Sequence, residues 1–409
     1  MIRYHLAEDT IDREDVDSLV RWLKTYPRLT KGELTLRFEG AWSRKLGRRY
    51  SVFCNSGSSA NLIALSALTS SVFGKRALKP GDEVITTAMG FPTTVNPIIQ
   101  NRLTPVFIDN DLGTKNATVD GIRRAITKKT RAIMMAHTLG NPLPLDGIME
   151  LVRKHDLWFI EDCCDALGST YKGTPVSNFG HVATFSFYPA HQITMGEGGA
   201  VVTNNPLIHK AIRQFRDWGR DCWCDTGQDN TCRRRFEWKL GDLPYGYDHK
   251  YIYSQIGYNL KLTDMQAAIG FAQLKKLPQF IAKRKENYQR LLDGLKKYEQ
   301  YFLFSETEKE ADPCWFGFMI VVRDGAPFTR LDLVTYLEEH KIATRSLFAG
   351  NLLKHPAYLG RKDIRAVGSL TNSDKIMNDG FWIGVYPGIT EEMIAYVLAM
   401  MDAFIQKYL

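Results

Sequence analysis

Between residues 50 and 203 the chain alternates short β-branched runs with longer amphipathic segments, and this alternation restricts the fold more than any other feature. The runs are YSVFCN, EVITTA, TPVFID, RAIMMAH, LWFIED, ATFSFY and GAVVT. Seven strands with helical connections indicate an α/β sheet. Several runs are apolar at consecutive positions, as strands buried on both faces require, whereas DGIRRAITKK and ELVRKHD carry the helical period. A mostly parallel seven-stranded sheet flanked by helices is therefore expected. From about 217 to 250 the periodicity fails, and Trp, Cys, Gly, Arg and Asp crowd together. Irregular stretches of that length in compact domains are usually functional. A helical pattern resumes near Thr263 and passes Lys297, followed by the strand-like WFGFMIVV and terminal helical segments. The expected division is an N-terminal arm with a large domain, 1–255, and a smaller C-terminal α+β domain, 256–409.

Composition narrows the function. With 409 residues, 44% of them hydrophobic and 24% charged, the chain can bury full cores and is neither disordered nor a small disulfide scaffold. The start, MIRYHLAEDTIDRED, has charges where a signal peptide needs an apolar stretch, and no run approaches the roughly 18 residues of a membrane span. A soluble cytoplasmic protein without membrane association is expected. The formal charge of +8 favours anionic ligands. Basic residues are scattered apart from Arg233-Arg234-Arg235, with no aromatic-interleaved stripe, so nucleic acid is not expected as a partner. Seven cysteines in a chain without an export signal point to metal binding or reactivity rather than disulfides.

Three motifs carry chemistry. Asn55-Ser56-Gly57-Ser58-Ser59-Ala60-Asn61 follows a strand and opens a helix, where free amides and hydroxyls can hold a phosphate; a plain Ser-capped helix start reads the same way. Glu161-Asp162 ends an apolar run and puts an acid at the carboxyl edge of the sheet, either as a helix cap or as a partner for a protonated pyridine nitrogen. Ser186-Phe187-Tyr188-Pro189-Ala190-His191 and Gly196-Glu197-Gly198-Gly199-Ala200 come next. His137, at the end of the RAIMMAH run, is open to either a substrate contact or packing.

The ordered series SGSS, EDCCDA, SFYPAHQITMGEGGAVVT and GYNLKLTDMQAAIG resembles the DegT/DnrJ/EryC1/StrS sugar aminotransferases, fold-type I pyridoxal phosphate enzymes, from Leu29-Thr30-Lys31-Gly32 nearly to the C-terminus. The resemblance implies that Gly57, Ser58 and Ser186 hold the cofactor phosphate, Phe91 stacks on the pyridine ring and Asp162 meets its nitrogen. It also implies a homodimer in which Asn259 reaches the phosphate from the second subunit. Asp165 stands where most of the family has Gln or His near the ring hydroxyl. The departure is His191, which occupies the position of the Schiff-base lysine, and no lysine lies between Lys172 and Lys210. Without that amine the cofactor is expected as noncovalent pyridoxamine 5′-phosphate, with His191 as a general base at its C4′ carbon.

Cys164, Cys222, Cys224 and Cys232 follow a C-x57-C-x-C-x7-C spacing. Four thiolates suit a 2Fe-2S cluster, and on chemistry alone a structural zinc competes evenly. Together with His191, the spacing resembles the iron–sulfur 3-dehydrases of 3,6-dideoxyhexose biosynthesis for lipopolysaccharide O-antigen. That resemblance implies a CDP-linked 4-keto-6-deoxyhexose substrate, a cluster near the cofactor, and an NADH-dependent flavin iron–sulfur reductase as electron donor. Two alternatives remain: a redox-free 3-dehydratase acting on a GDP- or TDP-linked sugar, and a noncatalytic relative. Cys54, Cys163 and Cys314 read as packing residues, and Trp218 and Trp223 as anchors of the cysteine loop.

Overall fold

In the computed structural model, which describes residues 2–409, the seven apolar runs form β1 (Tyr50–Cys54), β2 (Glu83–Thr87), β3 (Thr104–Ile108), β4 (Thr130–Ala136), β5 (Trp158–Asp162), β6 (Val182–Ser186) and β7 (Gly199–Thr203). They lie in one sheet in the order β1-β7-β6-β5-β4-β2-β3. Strand β7 is antiparallel to both its neighbours, and the pairings from β6 to β3 are parallel. Successive side chains of a strand point to opposite faces. Here both faces are covered. Phe53, Ile85, Ile133, Phe159 and Phe185 enter one core with Phe38 and Trp42. Val52, Val84, Met134, Ile160 and Val201 enter a second, against the helix Gly57–Ala67. Each such fully buried side chain contributes about 1.5–3 kcal/mol, so this double burial is what the consecutive apolar runs encode.

The register assembles one edge of the sheet for chemistry. Gly199 pairs with both Cys54 and Ser186, so the carboxyl ends of β1 and β6 flank the amino end of β7, and Asp162 ends β5 beside Thr184. A Cβ on Gly199 would overlap the Ser56 carbonyl, so glycine is required where the turn after β1 crosses this edge.

The C-terminal half forms its own core around an antiparallel sheet of β8 (Phe302–Phe304), β9 (Gly317–Val322) and β11 (Gly380–Gly384). Between β9 and β11 in sequence, the two-residue strand β10 (Arg365–Ala366) returns to the large sheet and pairs with β3, adding an eighth strand to the expected seven. The two halves share the helix Asp264–Leu295, whose 32 residues span about 48 Å. Ala267 and Leu277 pack in the first core, and Tyr288, Leu291 and Leu295 in the C-terminal one. The N-terminal arm also reaches the C-terminal core: Tyr4 is buried there, bridges Ile342 and donates its hydroxyl to the Gly384 carbonyl at 2.6 Å. Among the described residues no helix is long and apolar enough to cross a membrane.

Candidate active site

At the carboxyl edge of the sheet the turn after β1 delivers Ser56, whose Oγ accepts the amide of Ser59 and caps the helix Gly57–Ala67. The amides of Gly57 and Ser58 begin that helix and have no intrahelical acceptor. A Cβ on Gly57 would overlap the Ser186 side chain and lie 3.1 Å from the Cys164 sulfur, which puts Gly57, Ser186 and Cys164 in one packed group. Asp162 is buried beside them and held by three donors: Asn61 Nδ2 at 2.8 Å, Thr94 Oγ1 at 2.7 Å and the Cys164 amide at 3.1 Å. Thr184 in turn donates to Asn61 Oδ1 at 2.6 Å. Asn61 closes the motif read as a phosphate-holding helix start, but its bond to Asp162 was not foreseen, and Thr94 was not singled out in the sequence. The available signal was a lone amide inside the apolar helix, four residues after Gly57.

His191 stands on the loop after β6. Its ring tilts against Phe316 with centroids 5.2 Å apart, and Nδ1 lies 3.6 Å from Asp165 Oδ1, too long for a hydrogen bond. That buried nitrogen has no hydrogen-bond partner. Burial, and then the Arg284 charge, push the imidazole down to about 3, whereas burial and then Asp162 push Asp165 up to about 8. At neutral pH the imidazole is therefore uncharged and the Asp165 carboxyl largely protonated. Phe91 caps the helix Pro92–Gln100, is 51% exposed, and meets Phe348 edge-on at 6.0 Å. Phe348 has φ of 44°, a conformation unusual for a bulky side chain and often found where a fold shapes a site.

Asn259 is outside this group. It is exposed, bridges Asp217 through its backbone, and takes a hydrogen bond from Lys261. His137 is fully buried: Nδ1 accepts the Leu143 amide and Nε2 faces Glu161 Oε1 at 3.3 Å, while Glu161 Oε2 takes the amides of Phe179 and Gly180. Cys163 adjoins the pair. With both ring nitrogens occupied, His137 serves internal hydrogen bonding and not substrate. Cys54, Cys163 and Cys314 are all buried.

The cysteine set divides. Cys222, Cys224 and Cys232 line one small cavity with Asn230, Arg235, His249 and Lys250, in a segment with neither helix nor strand from Asp217 to Asp248. Cys224 N donates to Cys222 Sγ at 3.4 Å, and Cys232 Sγ lies 4.0 Å from His249 Nδ1. His249 Nε2 meets Asp221 Oδ1 at 2.9 Å, its ring stacks on Trp238, and Trp223 packs edge-on against it. Trp218 instead lies beneath Arg220 and Lys261. Cys164 remains at the sheet edge, its amide tied to Asp162 and its thiol pushed up by burial and then by Asp162. Cys222, Cys224 and Cys232 thus share one cavity beside His249, while β5 holds Cys164 at the sheet edge next to Asp162 and Gly57.

The DegT/DnrJ/EryC1/StrS aminotransferase family profile matches residues 9–402. The chain is 54% identical over 374 residues to the lipopolysaccharide biosynthesis protein RfbH of Salmonella typhimurium, covering 90% of this chain and 85% of that protein. It is 52% identical over 380 residues to the dTDP-4-dehydro-2,6-dideoxy-D-glucose 3-dehydratase of Saccharopolyspora spinosa, covering 93% and 82%. Among solved structures, the Escherichia coli GDP-4-keto-6-deoxy-D-mannose-3-dehydratase with bound hydrated PLP superposes with a TM-score of 0.87 at 30% identity, covering 98% of this chain and 99% of that one.

Proposed function

The chain belongs to the DegT/DnrJ/EryC1/StrS aminotransferase family, and we propose that it removes the C3 hydroxyl of a nucleotide-linked 4-keto-6-deoxyhexose with pyridoxamine 5′-phosphate as cofactor, on the route to a 3,6-dideoxysugar. One observation carries this reading: at the position where the resemblance puts the family's lysine stands His191, partly buried, uncharged and with a buried ring nitrogen that has no partner. The residues present fit the cofactor. Gly57 and Ser58 offer helix-start amides to a phosphate with Ser186 against them, and any side chain at position 57 would fill that cradle. Asp162, ordered by Asn61, Thr94 and the Cys164 amide, presents a fixed carboxylate to a ring nitrogen, and Phe91 supplies an aromatic face.

When bound, the cofactor supplies an amine that condenses with the C4 ketone and a ring that takes up electron density. His191 would take the proton from the C4′ carbon, and its Nδ1, which has no hydrogen-bond partner in the fold, leaves the ring a nitrogen to accept it. Asp162 keeps the ring nitrogen protonated as charge develops, and its three donors keep it from rotating away. Asp165, largely protonated, faces His191 without adding a charge to the site.

The nucleotide is proposed as CDP on the strength of the sequence resemblance, with dTDP and GDP as the alternatives that the relatives' substrates provide. A homodimer in which Asn259 meets the partner's cofactor phosphate, a 2Fe-2S cluster and an NADH-dependent flavin iron–sulfur reductase rest on that resemblance alone. The relatives that act on a GDP-linked sugar favour a second reading, a 3-dehydratase without redox chemistry in which the cysteines are empty or hold zinc. Iron and acid-labile sulfide analysis of protein purified without oxygen distinguishes the readings: one 2Fe-2S per chain, lost in Cys222→Ser, supports the redox route, and zinc or no metal supports the other.

The function itself is tested with His191→Asn. The variant is expected to bind pyridoxamine phosphate, followed by absorbance, and to give no C3 dehydration of any of the three nucleotide sugars. Turnover at the wild-type rate would sink the general-base role.

A further inference from the structure

The cation nearest His191 forms no ion pair among the described residues. Arg284 projects from the helix Asp264–Leu295, is 1% exposed, and donates Nη2 to the carbonyls of Ala190 and His191, both at 3.1 Å. Nη1 reaches the carbonyls of Trp315 and Phe316 at 3.5 and 3.4 Å, and Nε has no partner. A buried guanidinium bonded only to backbone oxygens is costly to desolvate, and structure alone gives no reason to prefer it over an apolar side chain. The four carbonyls, however, belong to two segments that meet under the candidate base: the loop after β6 that carries His191, and the stretch leading into β9 of the C-terminal core. Gln192 makes a parallel tie, its amide donating to the carbonyls of Asp165 and Cys314 at 2.5 and 3.3 Å. The Phe316 amide is anchored to the Leu139 carbonyl at 2.8 Å, and at Gly140, with φ of 89°, a Cβ would overlap the Cys314 carbonyl. The junction is therefore packed from three sides, with Arg284 at its centre.

We infer that Arg284 is the positioning residue of the proposed base, fixing the main chain of His191 to the edge of the C-terminal core so that the imidazole keeps one orientation toward the cofactor site. The inference rests on the reading of His191 as that base. A second consequence comes from charge. The titratable groups around the ring are Asp165 after β5, with Asp162 and Cys164 beyond it, Tyr188 on the same loop, Cys314 on the segment before β9, and Arg284 on the long helix. Burial opposes protonation of the imidazole most, and of these groups Arg284 supplies the positive charge that adds to it.

Two variants separate geometry from charge in the full-length protein. Arg284→Lys keeps the charge and loses the planar fork that spans both segments. Arg284→Met keeps the bulk and loses both. With pyridoxamine phosphate bound, Arg284→Lys is expected to lose at least about tenfold in kcat while KM changes less than about threefold, with the acidic limb of the pH profile unmoved. Arg284→Met is expected to lose more, with that limb displaced to higher pH. An independent readout is the His191 ring titration by NMR in cofactor-free protein, assigned by its loss in His191→Asn, which moves upward in Arg284→Met only. Wild-type kcat with an unmoved ring titration in both variants overturns the inference. Should Arg284→Met lose its near-ultraviolet circular dichroism, Arg284→Lys decides through the split between kcat and KM. If the wild-type protein dehydrates none of the sugars, the functional reading fails, while the ring titration still judges the role of Arg284.

Discussion

At the scale of single residues, the site depends on one missing side chain and one shared carboxylate. Gly57→Ala places a methyl where Ser186 already stands, at the mouth of the proposed phosphate cradle and at the start of a helix that alanine otherwise suits. The expected outcome is a weakening of pyridoxamine phosphate binding by at least about tenfold, or about 1.4 kcal/mol, with unfolding changed far less. Absorbance titration beside a urea melt checks it, and equal losses in both would assign Gly57 to stability instead. Asn61→Ala removes one of the three donors to Asp162 and leaves the Thr184 hydroxyl only the Glu161 carbonyl at 3.5 Å, and weakening such buried polar pairing costs about 1 kcal/mol or more. Here stability and cofactor affinity are expected to fall together. Gly57, Ser186, Asp162 and His191 were legible in the sequence because motif order carries them. The Asp162 contact of Asn61, and Thr94 and Arg284 altogether, were not, since each acts through a contact made only after distant segments meet.

At the scale of elements, the seven strands and the long helix were readable because burial on both faces, or a sustained helical period, writes itself into consecutive residues. Capping across elements is not written that way. The helix Glu33–Leu46 begins at Gly32, which has no side chain to cap it, and Asp264 of the long helix supplies the acceptor instead, taking the amides of Gly32, Leu34 and Thr35 at 2.9, 3.1 and 2.9 Å and the Thr35 hydroxyl at 2.5 Å. Asp264→Ala is expected to cost about 2 kcal/mol in global stability, the upper range for a cap because the site is buried. A denaturant melt reads it, and a loss below about 0.5 kcal/mol would mean that water replaces the carboxylate. The cysteine loop was legible as an irregular segment but not in its internal order, which comes from pairs such as Arg235 with Asp248 and His249 with Asp221. If it holds a metal, chelation is expected to raise amide exchange over 217–250 and leave β1 to β7 unchanged. Uniform exchange in both states would remove the metal from that loop.

At the scale of the whole molecule, the surprises are crossings: Tyr4 seals the C-terminal core, and β10 returns from that half to the edge of the large sheet. Local patterns could not announce either, because one rests on a lone aromatic and the other on two residues. The same interlocking buries histidines as neutral groups. Burial, and then Arg76, push His181 down to about 4, and its Nδ1 accepts the Phe159 amide at 3.1 Å, a bond that protonation would break. Burial, and then Arg213, push His209 down to about 4, where it stacks on Tyr50 at 4.6 Å. Both folded values lie below the unfolded value of about 6.5, so the unfolded chain takes up protons that the folded chain refuses. Their contribution is intact above pH 6.5 and is lost as pH falls from there toward 4, at a slope of up to about 1.4 kcal/mol per pH unit for each group. Asp217 and Asp248, held below the usual carboxylate range, act in the same direction only at lower pH, so the two windows separate. Urea unfolding at pH 7, 6, 5 and 4.5 is expected to show this decline, and His209→Phe, which keeps the stack and removes the titrating nitrogens, is expected to flatten it. An unchanged slope in that variant would show that His209 takes up its proton as readily in the fold as in the open chain, and that the acid sensitivity lies elsewhere.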